Sequence, residues 1–211
     1  MMKIWGRDNS VNVEKVLWVC EELGLPFERV DAGGQFGIVD TPQYRAMNPN
    51  GLVPTVEVDG LVLWESNAIV RYLAAKHSAG DLWPNDLAVR VEADRWMDWG
   101  STVFWPAFRP LFWNLVRTLP EQRNRTEIAR SFDRSAEVLG YLDNHLADRR
   151  HIAGDRFTMG DIPMGCAVWR WLALPEDLLE RPRPKYAALG RWFDTLSERP
   201  CYRKVVMRPL S

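Results

Sequence analysis

Apolar residues recur at Val13, Val16, Leu17, Cys20 and Leu23, the 3.6-residue period of a half-buried helix, and the run stops at Gly24 and Pro26. Residues 3–6 before it read as a short strand, and residues 27–31 after it alternate as a second. A Gly-rich loop over 32–37 and a short helical stretch near 42–47 lead to Asp59-Gly60, set between the apolar runs 56–58 and 61–64. That pair predicts a hairpin, because a two-residue turn needs positive φ at both central positions. Glu65 and Ser66 fall where the second hairpin strand gives way to a helical run over 68–75, which makes Ser66 the predicted N-cap, beside amides that attract a carboxylate. The predicted order is βαβαββα: a parallel pair with a right-handed crossover, extended by antiparallel strands.

From Leu82 onward the alternation disappears. Long helical patterns cover roughly 86–116, 121–146, 161–172 and 185–197, so the second part reads as all-helical, with a bend or break expected at Pro106 and Pro110. The predicted domains are 1–77 and 86–211, joined by a linker at 78–85 that contains Gly80 and Pro84.

Composition narrows the function. With 211 residues, 46% of them hydrophobic, and a net charge of −1, the chain has enough apolar material for packed cores and no global attraction to nucleic acid. Cys20, Cys166 and Cys201 are far apart without metal or disulfide-framework spacing, so no metal is expected and free thiols suggest a reducing, cytoplasmic setting. No apolar run is long enough to span a bilayer. Seven of the eleven tryptophans lie between Trp96 and Trp192, where aromatics serve either as core or as the walls of a pocket.

Four short stretches at compatible spacings carry a resemblance: residues 10–17 (SVNVEKVL), 48–54 (NPNGLVP), 65–69 (ESNAI) and 157–162 (FTMGDI). Over essentially its whole length the chain resembles a cytosolic glutathione transferase of the bacterial type, with a thioredoxin-like N-terminal domain followed by an all-α domain. The resemblance implies glutathione as cosubstrate, a small hydrophobic electrophile and a homodimer. It implies that Val53, before a cis Pro54, offers its backbone to the cysteinyl part of glutathione, and that Glu65 and Ser66 take the γ-glutamyl ammonium and carboxylate. Ser10 aligns with the serine of the serine-type members, where it would donate a hydrogen bond to the sulfur, and Asn12 would share or replace that role.

Either residue would alternatively cap the first helix. The thiolate is the nucleophile, and an ordinary thiol near pKa 8.5 is only about 3% ionised at pH 7. Lowering that value by ~2 units takes about 2.7 kcal/mol, within reach of one donor to a charged sulfur helped by a helix N-terminus. The chain departs from its relatives on the glycyl side. Leu52 stands where members often carry Gln or Lys, which leaves Arg7 and Gln35 as substitutes.

Trp105, Phe108, Arg109, Phe112 and Trp113 are read as an electrophile pocket or, equally, as helical core. Thr158 to Asp161 is read as a capping box, with the Thr158 hydroxyl on the Asp161 amide and the carboxylate reaching back. Peroxide reduction accompanies the transferase reading, and a non-catalytic ligand-binding or stress-response protein is the alternative. Disulfide exchange is disfavoured because no cysteine stands near Ser10.

Overall fold

The computed structural model describes residues 1–179 and 181–211. Residues Met1–Asn85 form one unit and Asp86–Ser211 a second.

The first unit contains β1 (Met2–Trp5), α1 (Val11–Glu22), β2 (Phe27–Val30), α2 (Pro42–Met47), β3 (Thr55–Val58), β4 (Leu61–Trp64) and α3 (Ser66–His77). The sheet order is β2-β1-β3-β4, with β1 parallel to β2 and antiparallel pairing from β1 to β3 and from β3 to β4. This is the thioredoxin-like βαβαββα order read from the sequence. Asp59 and Gly60 have φ of 55° and 77°, as the hairpin turn requires. The Asp59 carboxylate pairs with Lys76 and accepts from the Tyr72 hydroxyl at 3.0 Å, which ties the turn to α3.

Two local expectations change. Helix α1 was expected to be half buried, yet every residue from Val11 to Cys20 except Asn12 is buried, and α3 packs against it. Ser66 was expected as N-cap of α3. Glu65 holds that position, its carbonyl accepting from the Ile69 amide at 3.0 Å, and Ser66 is the first helical residue.

The second unit contains α4 (Leu87–Trp99), α5 (Trp105–Phe112), α6 (Arg125–His145), α7 (Asp161–Ala173), α8 (Ala187–Ser197) and α9 (Pro200–Val205). The expected break in the first long helix takes the form of widened π-helical turns at Gly100–Phe104 and Trp113–Arg117, one on each side of the proline-bearing α5. Where Pro110 interrupts the bond ladder, the Ser131 hydroxyl of α6 inserts, accepting from the Leu111 amide at 3.0 Å and donating to the Ala107 carbonyl at 2.5 Å.

The start of α7 is pressed onto α4 so closely that a Cβ on Gly160 would stand 2.8 Å from the Ala93 Cα, which only glycine avoids. Asp161 reaches back as expected, accepting from the Thr158 amide at 2.9 Å. The Thr158 hydroxyl, however, accepts from the Gly160 amide at 3.3 Å rather than from Asp161, whose N–H bonds the Thr158 carbonyl. Among the described residues no helix is long and apolar enough to cross a membrane.

Candidate active site

The strand register brings the predicted residues of the first unit to one end of the sheet. Trp5 pairs with Val30 and Thr55, and Thr55 with Trp64. The chain leaving β1 toward Arg7 and Ser10, the loop after β2, the residues entering β3 at Val53-Pro54 and the Glu65-Ser66 start of α3 therefore all emerge from that end.

Ser10 occupies the N-cap position of α1 with extended backbone (φ −89°, ψ 125°), and its carbonyl accepts from the Glu14 amide at 2.9 Å. Its side chain makes no capping hydrogen bond. Capping therefore does not occupy the hydroxyl. Asn12 is no cap either: its Oδ1 accepts from Lys15 Nζ at 3.0 Å and from the Ser66 hydroxyl at 3.3 Å. Glu65 is exposed and holds φ at 68°, a left-handed conformation that costs a non-glycine residue about 1–3 kcal/mol. Its side chain makes no cap hydrogen bond, and the first-turn amides of α3 follow it.

The Val53-Pro54 peptide bond is cis. Val53 lies just outside β3, and among the described residues its backbone N–H and C=O carry no hydrogen bond. The segment is held from beneath instead. The Leu52 carbonyl accepts from the Tyr44 hydroxyl at 2.8 Å and from Asn48 Nδ2 at 2.9 Å, while Thr55 Oγ1 lies 2.9 Å from the Tyr44 oxygen and accepts from Asn48 Nδ2 at 3.2 Å. The tyrosine's single hydrogen goes to Leu52, so the Thr55 hydroxyl donates to it. The Leu52 side chain itself is 63% exposed.

Arg7 lies against the loop after β2. A Cβ on Gly33, whose φ is 74°, would stand 3.3 Å from Arg7 Nη1 and 3.2 Å from Val53 Cγ1, so glycine lets the guanidinium and the Val53 side chain converge there. Gln35 is exposed in the short 3₁₀ turn Gly34–Phe36 that follows.

In the second unit, Phe108 is fully buried and Phe112 nearly so, in a ring cluster with Phe104, Trp105 and Trp171. Trp105 is half-buried, Arg109 exposed and Trp113 46% exposed, and the Arg109 guanidinium stacks 5.0 Å from the Trp113 ring. The sequence-predicted pocket residues thus divide into packed interior and exposed surface. Cys20 is core, as expected: burial, followed by the charge of Glu21, pushes its thiol up to about 12.

Sequence reasoning missed Lys15, Tyr44, Asn48 and Thr55. For Lys15 the signal was present, a charged residue in a helix where Val11, Val16, Trp18 and Val19 stand beside it or one turn away. Among the described residues no group of three His, Cys, Asp or Glu side chains is placed to hold a metal.

An open backbone edge flanked by two helix starts on a thioredoxin-like sheet, in a chain that continues as a helical unit, defines a glutathione-transferase-type fold. The chain belongs to the glutathione S-transferase family: residues 9–76 match the N-terminal domain model of that family and residues 96–200 its C-terminal domain model. It is 45% identical to the glutathione S-transferase GstB of Escherichia coli over 100% of both chains, and 32% identical to glutathione S-transferase 3 of Zea mays over 97% of this chain and 93% of that one. Among solved structures, it matches the theta class glutathione S-transferase of Xanthomonas axonopodis pv. citri with glutathione bound. The TM-score is 0.93 at 45% identity, covering 100% of this chain and 99% of that one.

Proposed function

We propose that this protein is a glutathione transferase that ionises the glutathione thiol and directs the thiolate at a hydrophobic electrophile. The open backbone of Val53 carries the reading, since it is a ready edge on which the cysteinyl residue of glutathione adds as a short strand. The γ-glutamyl carboxylate is assigned to the Ser66 hydroxyl and the first amides of α3, and the γ-glutamyl ammonium to Glu65. Arg7 and Gln35 take the glycyl carboxylate, with Leu52 contributing only backbone.

The Ser10 hydroxyl donates to the sulfur and Asn12 supports it through its Nδ2 hydrogens. The thiolate then attacks the electrophilic carbon, forming the thioether as the leaving group departs with its electron pair. A hydroperoxide in place of the carbon electrophile would be reduced to the alcohol and water by two glutathiones, which end as the disulfide. Trp105, Arg109 and Trp113, backed by Phe108 and Phe112, are assigned to the electrophile.

The same reading includes a cytoplasmic homodimer. Its support is β4, an edge strand whose Leu61, Val62 and Trp64 are 45%, 44% and 40% exposed, an apolar edge of the kind that natural proteins cover. Similarity to named transferases over the full chain favours the enzyme over a non-catalytic ligand binder.

Thermal melting with and without glutathione, paired with conjugation of an aromatic halide, tests the function. A ligand at ~100 times its dissociation constant adds about 2.7 kcal/mol to the native state. A raised melting temperature and saturable conjugation are expected. No shift at millimolar glutathione and no conjugation would remove the reading.

A further inference from the structure

Lys15 is a buried lysine whose visible partners come from two different helices. Its Nζ donates to Asn12 Oδ1 at 3.0 Å and to Ser66 Oγ at 3.5 Å, and the Ser66 hydroxyl closes the triangle by donating to the same Oδ1 at 3.3 Å. The residue is 6% exposed, on a stretch where Val11, Val13, Val16 and Leu17 are buried too, so an apolar side chain would fill the position without the cost of desolvating an amine. An ammonium has hydrogens and no lone pair, so only the oxygen end of the Asn12 amide can face it. The Ser66 hydroxyl hydrogen selects the same end. Both bonds turn the amide in one sense and leave Nδ2, which carries no hydrogen bond among the described residues, as the end with hydrogens to give.

We propose that Lys15 is a positioning residue for glutathione. It locks the Asn12 amide with its N–H end toward the ligand and holds the Ser66 oxygen, so that on binding the Ser66 hydrogen passes from Asn12 to the γ-glutamyl carboxylate while the lysine bond stays. A positive charge behind both groups also favours the anionic ligand. The inference rests on the reading that Asn12 and Ser66 meet glutathione.

The test combines calorimetric glutathione binding with steady-state kinetics on wild type, Lys15→Met, Lys15→Arg, Asn12→Ala and the Lys15→Met/Asn12→Ala double variant. Lys15→Met is expected to weaken glutathione about tenfold, the scale of one hydrogen bond to a charged group, raising KM for glutathione and lowering kcat as well, because the Asn12 amide it orients also supports the sulfur. Lys15→Arg keeps the positive charge and a donor-only head group, so it is expected to restore binding to within about threefold. The Lys15→Met and Asn12→Ala losses should be clearly less than additive, because one acts through the other.

Wild-type affinity in Lys15→Met, or full additivity, overturns the proposal while wild-type binding leaves the transferase reading standing. A wild type that does not bind glutathione removes both. An observation on the unmodified protein completes the test and does not depend on whether the Met variant folds. Glutathione should shift the side-chain amide resonances of Asn12, identified by their loss in Asn12→Ala, and unmoved resonances overturn the proposal.

Discussion

The Tyr44 hydroxyl donates to the Leu52 carbonyl at 2.8 Å, so a side chain of α2 holds the peptide immediately before the open backbone of Val53. Burial raises the tyrosine above its usual range, against the lowering effect of its bond to Thr55, so the hydroxyl keeps its hydrogen throughout the neutral range. Tyr44→Phe removes that donor and leaves the buried Thr55 hydroxyl without the oxygen to which it donates. We expect a stability loss of about 1–2 kcal/mol by urea unfolding. KM for glutathione should rise several-fold, with kcat changing less, because the loop that presents Val53 loosens.

Ser10→Ala separates chemistry from folding. Loss of a capping side chain typically costs about 1 kcal/mol, but the Ser10 side chain caps nothing, so the variant should lose less than about 0.5 kcal/mol of stability. If its hydroxyl bonds the thiolate, kcat/KM for conjugation should fall about 10- to 100-fold. A fall in stability with activity kept would return Ser10 to a purely structural role.

Asp161 ties the start of α7 to a preceding loop and to α8 within the helical unit. Its carboxylate, 0% exposed, accepts from the Ile152 amide at 3.0 Å, the Thr158 amide at 2.9 Å and the Trp192 indole at 2.8 Å. Asp161→Ala strands three buried donors and should cost about 3–5 kcal/mol, measured by urea unfolding. Its motif announces a helix start. The reach to Trp192 in α8 does not follow from any local pattern.

The Cys20 thiol gives a pH signature. Its native value, pushed by burial to about 12, lies above that of an ordinary exposed thiol, so the unfolded state ionises first as pH rises. The stabilisation is therefore complete below about pH 9 and is lost toward pH 12, at roughly 1.4 kcal/mol per pH unit at most. Tyr186, also raised to about 12, adds to the wild-type slope, so the comparison must be with Cys20→Ala. Unfolding free energies between pH 8 and pH 11 should decline more steeply in wild type, and alkylating reagents should leave Cys20 unmodified at neutral pH until the protein unfolds.

What local sequence determines, the sequence revealed. Asp59-Gly60 forced a hairpin, Gly24 and Pro26 closed α1 and the strand spacing gave the sheet. The misreadings came from contacts distant in the chain. Ser66 has the composition of an N-cap, but Asn12 and Lys15, over fifty residues earlier, engage its hydroxyl and the cap moves to Glu65. Phe108 and Trp113 carry the same aromatic pattern, yet one is core and the other surface, because burial is decided by which helix lies opposite. Tyr44 and Thr55 flank the Asn48-to-Pro54 stretch, and only the folded loop shows their hydroxyls meeting, with Tyr44 also holding Leu52.

The most direct measurement is the ultraviolet titration of the glutathione thiolate bound to wild-type protein, compared with free glutathione. The account predicts that the bound thiol ionises about two pH units below the ordinary value near 8.5, equivalent to about 2.7 kcal/mol of thiolate stabilisation. A bound thiol that titrates together with the free one would contradict it.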